Sequence, residues 1–229
     1  MKFYVLIITC ITLAMGCNKK ENFVLSKSGV YGIDVSHHQG RINWSQVKRW
    51  KNKQISFVYI KATEGATFID NRYKINFKEA KQAGFRVGSY HYFSTTSSPE
   101  QQFKNFMRQV DPRAQDIIPM IDLEENKNWS KEEYVSNLKI FLHLIEEQFK
   151  SKPLLYSVQG FYNTYIRNDF NSYHWNIARY NIKKPHLLDK NRWSLWQFSD
   201  KERIKGIKKY VDLNLIRNNL NIDIIMLNN

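Results

Sequence analysis

Two acidic residues follow an apolar run in the middle of this 229-residue chain. Residues 117–121 are typical of a buried strand, and Asp122 and Glu124 stand at its carboxyl end. Because side chains alternate along a strand, we expect both carboxyl groups on one face. Two neighbouring carboxyl groups push their pKa values apart, so one can stay protonated as a general acid while the other remains an anion. This pairing is the one used to cleave glycosidic bonds.

An acid pair of this spacing also has a structural interpretation. It can be solvated at the end of a strand, or it can cap the following helix, so the pair alone does not decide between catalysis and structure. Other segments of the chain are needed to decide whether the pair is catalytic or structural.

The first residues have the features of an export signal. A short apolar run follows Met1 and Lys2 and ends at Gly16-Cys17, and it is too short to cross a membrane comfortably. Gly16-Cys17 resembles the end of a bacterial lipoprotein signal, although Ala14 stands where the typical pattern has leucine. We therefore expect a signal peptide over 1–16 and a polar tether over 17–28, with Cys17 acylated and held in a membrane. Ordinary secretion with cleavage nearby is the alternative.

Residues 29–229 are expected to form one domain. The two cysteines, Cys10 and Cys17, both lie before it, so the domain has no disulfide and no cysteine metal ligand. Its length suits one barrel or one large β-sandwich and is too short for two large domains.

The chain is strongly basic, with a formal net charge of +14. Such a surface favours anionic polymers or membranes, although lysine-rich segments such as 48–53 and 201–209 are also common on plain solvated faces. No nucleic-acid reader motif is present in the sequence, so nucleic acid is not an expected partner.

Segments typical of strands and helices alternate along the domain. The predicted strands are 30–36, 56–63, 85–93, 116–124, 154–158, 174–180, 193–199 and 210–216. Helices are predicted over 44–53, over 71–83 behind the possible cap Asp70, from Ser98-Pro99 to about residue 110, and from the capping box Ser130/Glu133 onward.

Regular alternation of this kind predicts a parallel sheet with helices outside it, and eight strands predict closure into a single TIM-like (β/α) barrel. The later strands are separated by few helices, so the C-terminal half is expected to be irregular. Barrels of this class form their active sites at the carboxyl ends of the strands. The acidic, aromatic or amide residues at those predicted ends are Asp34, Glu64, Tyr90, Tyr92, Asp122, Glu124, Tyr156, Trp175, Tyr180, Trp196, Gln197 and Asp212.

Successive motifs resemble those of glycoside hydrolase family 25, the N,O-diacetylmuramidase type of lysozyme. These motifs occur in the same order as in the family, and the resemblance covers about residues 30–216. They are YGIDVSHHQG from Tyr31, IKATEG from Ile60, GSYHYF from Gly88, DLE from Asp122, WNIARY from Trp175, LWQFS from Leu195 and VDLN from Val211.

The resemblance implies a flattened, irregular barrel that cleaves the β-1,4 bond between N-acetylmuramic acid and N-acetylglucosamine in peptidoglycan, without a metal or other cofactor. Glu124 would be the general acid and then the base. Asp122 would orient the sugar's N-acetyl group if that group is the internal nucleophile, and an inverting course remains open. Asp34 and Asp212 would hold sugar hydroxyls or water and tune the pKa of Glu124. We also expect an exported monomer.

The remaining candidates would bind substrate, and each also has a structural interpretation. Aromatic side chains can line a sugar groove or belong to the core, and Glu64 can instead be a buried partner of Lys61 or His91. The substrate-binding candidates are Glu64, Tyr90, Tyr92, Tyr156, Trp175, Tyr180, Trp196 and Gln197.

Two other functions remain possible at this point. One is a non-catalytic peptidoglycan-binding protein on the same scaffold, which the presence of all four motif carboxyl groups disfavours. The other is a metal-dependent polysaccharide deacetylase. Such an enzyme needs histidine ligands for its metal, and this sequence has neither the HExxH nor the HxxxH spacing. No GxSxG motif is present, so a serine hydrolase is poorly supported.

Overall fold

The computed structural model describes residues 29–227 except 182 and 190–192. The predicted signal peptide over 1–16, the tether over 17–28 and the acylated Cys17 lie outside the described residues. They remain predictions, as does the boundary of the domain.

Eight strands close into one barrel, as predicted. The strands of the sheet are β1 (Tyr31–Val35), β2 (Arg49–Trp50), β3 (Lys53–Glu64), β4 (Phe68–Ile69), β5 (Arg86–Tyr92), β6 (Met120–Asp122), β7 (Leu154–Val158), β8 (Trp175–Ala178), β9 (Leu195–Glu202) and β10 (Val211–Ile216). The order around the barrel is β1, β10, β9, β8, β7, β6, β5 and β3, and β3 pairs again with β1. The two-residue strands β2 and β4 lie outside this order and pair with β3.

Three helices cover the first half of the barrel: α1 (Tyr73–Gln82), α2 (Pro99–Gln109) and α3 (Lys131–Phe149). In the described residues after α3, helical structure is limited to short turns, the longest being the π-helical turn Tyr162–Ile166. The expectation of fewer helices in the C-terminal half is therefore confirmed. No helix in the described ranges is long and apolar enough to cross a membrane.

The local signals for α2 and α3 are confirmed. Ser98 and Ser130 each accept a hydrogen bond from the backbone of the third helical residue, whose side chain bonds back to the cap. The cap predicted for α1 is wrong, because the helix begins after Arg72 without a side-chain cap. Asp70 accepts instead from the Arg72 N–H just before the helix, and its other oxygen is bound by His37.

The helix predicted over 44–53 is also wrong. A single 3-10 turn, Trp44–Gln46, is followed by β2, which forms a tight hairpin with the start of β3. Trp44, Val47 and Trp50 have helical spacing and are all buried. A loop buries them as well as a helix would, and the antiparallel pairing of β2 with β3 satisfies the backbone polar groups.

The strand predicted over 116–124 is shorter in the structure. Pro119 has no N–H to donate to a ladder, and β6 begins directly after it. Beyond β6, the Leu123 N–H still donates to the carbonyl of Tyr156, 2.9 Å away. Leu123 is fully buried, whereas Asp122 and Glu124 are partly exposed, so the alternation that placed both acids on one face continues past the strand.

The sheet is not wholly parallel, which corrects the prediction. β10 runs antiparallel to both β1 and β9, while the other barrel strands run parallel to their neighbours. The connection from β9 to β10 is short, and a short connection makes a hairpin, whereas a parallel return needs a long crossover. Asp212, near the start of β10, therefore lies at the barrel end where the other strands finish.

The barrel strands divide their side chains between two apolar clusters. Side chains outside the barrel, such as Ile33, Val58, Val87, Ile121 and Leu155, pack with helix residues such as Phe106 and Phe141. A second cluster fills the interior of the barrel, with Phe57, Tyr59, Met120, Leu154, Leu195 and Ile216. Polar residues occupy the interior end towards the carboxyl ends of the parallel strands.

We predict that Gly32→Ala destabilises the protein by about 1 to 3 kcal/mol. A Cβ at this position would lie 2.2 Å from the ring of Phe57, which is fully buried and cannot move away. Urea denaturation measures the loss. Gly160→Ala is the control, because nothing lies within 4 Å of its Cβ and stability should change by less than about 1 kcal/mol. Equal stability of both variants would contradict the packing argument.

Candidate active site

The four carboxyl groups singled out from the sequence meet at one end of the barrel. Asp34 of β1 is paired in register with Asp212 of β10. Asp122 ends β6, where it is paired with Tyr156, and Glu124 follows two residues later. The charge of Asp34 acts on the other three carboxyl groups, which places them within electrostatic reach of it. We call Asp34, Asp122, Glu124 and Asp212 the acidic cluster.

Asp34 and Asp212 form a hydrogen-bonded carboxyl pair. Asp34 is only 6% exposed, and its Oδ2 accepts from Gln197 Nε2 at 3.0 Å and from Asn214 Nδ2 at 2.7 Å. Burial raises the pKa of Asp34, and these hydrogen bonds oppose that shift. Burial and the neighbouring charge of Asp34 raise the pKa of Asp212 further. The pair therefore holds one proton between two oxygens at neutral pH.

Amide side chains extend this pair into a network. Asn214 Oδ1 accepts from Asn176 Nδ2 at 2.8 Å. Gln197 Oε1 accepts from the hydroxyls of Tyr156 at 2.9 Å and Tyr180 at 2.7 Å. Each amide thus donates on one side and accepts on the other, which fixes its orientation.

Asn176 and Asn214 were not identified from the sequence. A usable signal existed, because Asn214 lies two residues after Asp212 and so shares its face of the strand. Asn176 lies between two buried apolar residues, Trp175 and Ile177, and alternation places it on the opposite face.

Asp122 and Glu124 are held in a partly buried setting. Burial, followed by the charge of Glu124, raises the pKa of Asp122. Asp122 Oδ1 is buried and has no hydrogen-bond partner among the described residues. Burial also raises the pKa of Glu124, while a hydrogen bond with Tyr156 opposes the shift. This part of the cluster can therefore hold a proton at a pH where an exposed carboxyl group has lost it.

Lys61 is the cation beside the acidic cluster. Its Nζ lies 2.7 Å from Glu64 Oε2 and between the rings of Phe68 and Tyr92, at 5.4 and 5.1 Å from their centroids. Its charge opposes the raised pKa values of Asp122 and Glu124. Glu64 is thus a partner of Lys61, but its side chain is 43% exposed, so this partner is not buried.

His91 is not a partner of Glu64. It lies on the outer face of β5, fully buried, and hydrogen-bonds Thr63 and Gln102. Desolvation lowers the pKa of His91 to about 3, so the imidazole is neutral. Among the described residues, no group of three or more histidine, cysteine or acidic residues could hold a metal ion.

Four tyrosines from the list of candidates reach the interior end of the barrel. Tyr180 is 49% exposed and Tyr92 is partly exposed, so both can present a ring to a ligand. Tyr156 is almost buried, and its hydroxyl lies in the amide network. Tyr90 is paired with Met120, and burial, followed by the charge of Asp34, raises its pKa.

Two tryptophans predicted to line a groove do not reach the site. Trp175 and Trp196 are fully buried, and their Nε1 atoms donate to the carbonyls of Phe170 and Arg179. They alternate with Asn176 and Gln197, whose side chains take the inner face, so the tryptophans must face outward. Their assignment as substrate-binding residues is wrong, and they belong to the core.

Comparison with known proteins gives a consistent result. The profile of glycosyl hydrolases family 25 matches residues 33–207. The chain is 34% identical over 188 residues to YegX of Escherichia coli strain K12, covering 81% of this chain and 69% of that protein. It is 30% identical over 205 residues to lysozyme M1 of Streptomyces globisporus, covering 82% of this chain and 67% of that protein.

Solved structures share the fold. A family 25 glycosyl hydrolase from Bacillus anthracis superposes with a TM-score of 0.78 at 29% identity, covering 90% of this chain and 97% of that one.

We predict that the raised pKa of Asp212 makes the protein less stable as the pH rises. An unfolded aspartate loses its proton near pH 4, whereas burial raises the pKa of Asp212 in the folded protein to about 9. Between these values the folded state binds more protons than the unfolded state, so the free energy of unfolding falls with increasing pH. Asp212→Asn removes this titration and should give a shallower fall.

Urea denaturation at pH values from 5 to 9 measures the slope. A single group contributes at most about 1.4 kcal/mol per pH unit. Asp223→Asn is the control, because Asp223 is exposed and its removal should leave the wild-type slope unchanged. The same slope for Asp212→Asn and wild type would contradict the assignment of the buried proton to this pair.

Proposed function

Because the chain belongs to glycosyl hydrolase family 25, we propose that the acidic cluster hydrolyses the β-1,4 bond between N-acetylmuramic acid and N-acetylglucosamine. The protein is a glycoside hydrolase of the lysozyme type that acts on peptidoglycan. One observation above all supports the assignment of residues. Four carboxyl groups from three separate parts of the barrel lie together in a setting that raises their pKa values.

Glu124 is the general acid in this proposal. Its carboxyl group is partly exposed, so it can reach a ligand, and burial raises its pKa so that it retains a proton. It protonates the leaving oxygen as the glycosidic bond breaks, and the resulting carboxylate then takes a proton from the attacking water. The hydroxyl of Tyr156 lies within hydrogen-bonding reach of this carboxyl group.

Asp122 binds the N-acetyl group of the sugar. The residue is partly exposed at the interior end of the barrel, so its carboxyl group can accept an amide N–H of the substrate. In its ionised form Asp122 accepts the amide N–H, and this hydrogen bond increases the nucleophilicity of the acetyl oxygen. Lys61 stabilises the anion that results, since its charge already lowers the pKa of this group.

Asp34 and Asp212 supply a fixed negative environment. The Asp34 carboxyl group is held by two amides and cannot rotate, so its charge faces the developing positive charge on the sugar ring. The partly exposed Asp212 is available to sugar hydroxyls. The rings of Tyr92 and Tyr180 offer flat apolar faces for the sugars.

We predict that Glu124→Gln lowers turnover by about 100-fold to 10,000-fold and leaves the fold intact. The amide has nearly the same shape as the carboxyl group but cannot donate the required proton. The measurement is release of new reducing ends from purified peptidoglycan, identified by mass spectrometry, with the circular dichroism spectrum as the check on folding.

Glu132→Gln is the matched control for this test. Glu132 is an exposed residue in the first turn of α3, and its replacement should not change the rate. Digestion by a folded Glu124→Gln protein at the wild-type rate would refute the assignment. Release of acetate without new reducing ends would indicate a deacetylase instead.

We further propose that the protein is exported and held in a membrane through acylated Cys17. The support is the sequence of residues 1–17 together with the substrate, since peptidoglycan lies outside the cytoplasm. The first described residues, Gly29 and Val30, lead into the start of β1, whereas the acidic cluster lies at the opposite end of the barrel. A tether attached there leaves the acidic cluster facing away from the anchor.

We predict that the wild-type protein sediments with membranes at both low and high salt and that Cys17→Ala is released. Each buried methylene of an acyl chain contributes about 0.8 kcal/mol, and this term does not depend on salt. Cys10→Ala, within the apolar run, is the control and should stay attached. Release of the wild type by salt, or membrane retention of Cys17→Ala, would contradict the lipid anchor on Cys17 and would favour ordinary secretion.

A further inference from the structure

A surface groove of about 950 Å³ lies beside the barrel. It is lined by residues 39–46, by the last part of α1 and by residues 206–209. None of the four residues of the acidic cluster lines it. We call this feature the basic groove, because its charged lining consists of Arg41, Lys208, Lys209 and a single carboxylate, Glu79.

The three cations of the basic groove are available to a ligand. Arg41, Lys208 and Lys209 are all exposed. Within the described residues none of them forms an ion pair. An anion that binds there therefore does not have to displace an internal partner.

The chain around the basic groove adds to the positive field. No aspartate or glutamate occurs between residues 35 and 63, and Glu202 is the single acid in 201–209. The carboxylate of Glu202 is already engaged, since it accepts from Trp50 Nε1 at 2.7 Å and from Ser199 Oγ at 3.3 Å. The field of such a surface concentrates anions within about 8 to 10 Å at physiological salt.

The backbone of the basic groove is held in place. The Asn43 N–H donates to the carbonyl of Gly206 at 2.9 Å, which joins the two lining segments. Gly206 has a φ of 97°, and a Cβ there would lie 2.4 Å from the Asn43 oxygen, so only glycine permits this approach. Ile42 and Ile207 are buried beneath the segments. The cations are thus carried by an ordered surface.

The basic groove adjoins the acidic cluster. Gln39 lines the groove and comes shortly after β1, which carries Asp34. Its Nε2 donates to the carbonyl of Tyr210 at 2.9 Å, and Tyr210 lies two residues before Asp212. A polymer whose sugars occupy the acidic cluster can therefore continue over Gln39 towards Arg41 and Lys209.

We propose that the basic groove binds the free carboxylates of the stem peptides on the peptidoglycan strand that is being cleaved. This inference rests on the proposed function. Peptidoglycan is a neutral glycan that carries anionic peptides at regular intervals, and a site beside the glycan-binding end of the barrel is where such a peptide would lie. Beside the cations the lining carries hydrogen-bonding side chains such as Asn43, Ser45 and Gln82, which suit a peptide better than a membrane surface.

The test compares two triple variants on two substrates. One variant is Arg41→Gln/Lys208→Gln/Lys209→Gln. The control, Lys104→Gln/Arg108→Gln/Lys139→Gln, removes the same charges from exposed positions of α2 and α3. The substrates are peptidoglycan with intact stem peptides and glycan strands from which an amidase has removed the peptides.

We expect the groove variant to lose about tenfold in kcat/KM on peptide-bearing strands, mainly through KM, and to match the wild type on peptide-free strands. High salt should reduce the difference, because exposed charges are screened. The control variant should match the wild type on both substrates. Wild-type kinetics of the groove variant on peptide-bearing strands, or an equal loss on both substrates, would overturn the proposal.

Two further outcomes have distinct meanings. If the wild type cleaves neither substrate, the proposed function fails, whatever the groove binds. If the groove variant loses binding to vesicles containing anionic phospholipid while its kinetics stay unchanged, the partner is a membrane and the peptide proposal is wrong.

Discussion

The burial of Asp34 inside the barrel is the constraint on which the site depends. A buried carboxylate without partners is strongly destabilising. Asp34 is stabilised by amide donors from Gln197 of β9 and Asn214 of β10 and by a proton shared with Asp212. These partners are available only if β1, β10 and β9 are neighbours with this register. The polar network and the strand order therefore require one another.

The same burial makes the carboxyl groups chemically useful. Apolar side chains, including Phe57, Leu154 and Leu195, fill the interior of the barrel, and desolvation is the largest cause of the raised pKa values in the acidic cluster. A proton is thereby kept at a pH where an exposed acid would have lost it. The cost is stability at neutral and alkaline pH, a common compromise between activity and stability.

Local signals identified much of the fold. The Ser98 and Ser130 caps are confirmed, because a cap depends on residues a few positions apart. The prediction for 44–53 failed for a related reason. Spacing shows that three side chains are buried, but it does not distinguish a helix from a loop packed onto the same core.

The sequence by itself determined the acid pair Asp122 and Glu124, the eight strands and the three helices, since alternation and capping are properties of short segments. Only the tertiary structure decided how the residues of the site meet. Asn214 and Asp34 are 180 positions apart, and their contact depends on the reversed direction of β10. It also decided that Asn176 faces inward and Trp175 outward, because a strand buried on both faces gives no signal of which face is the interior.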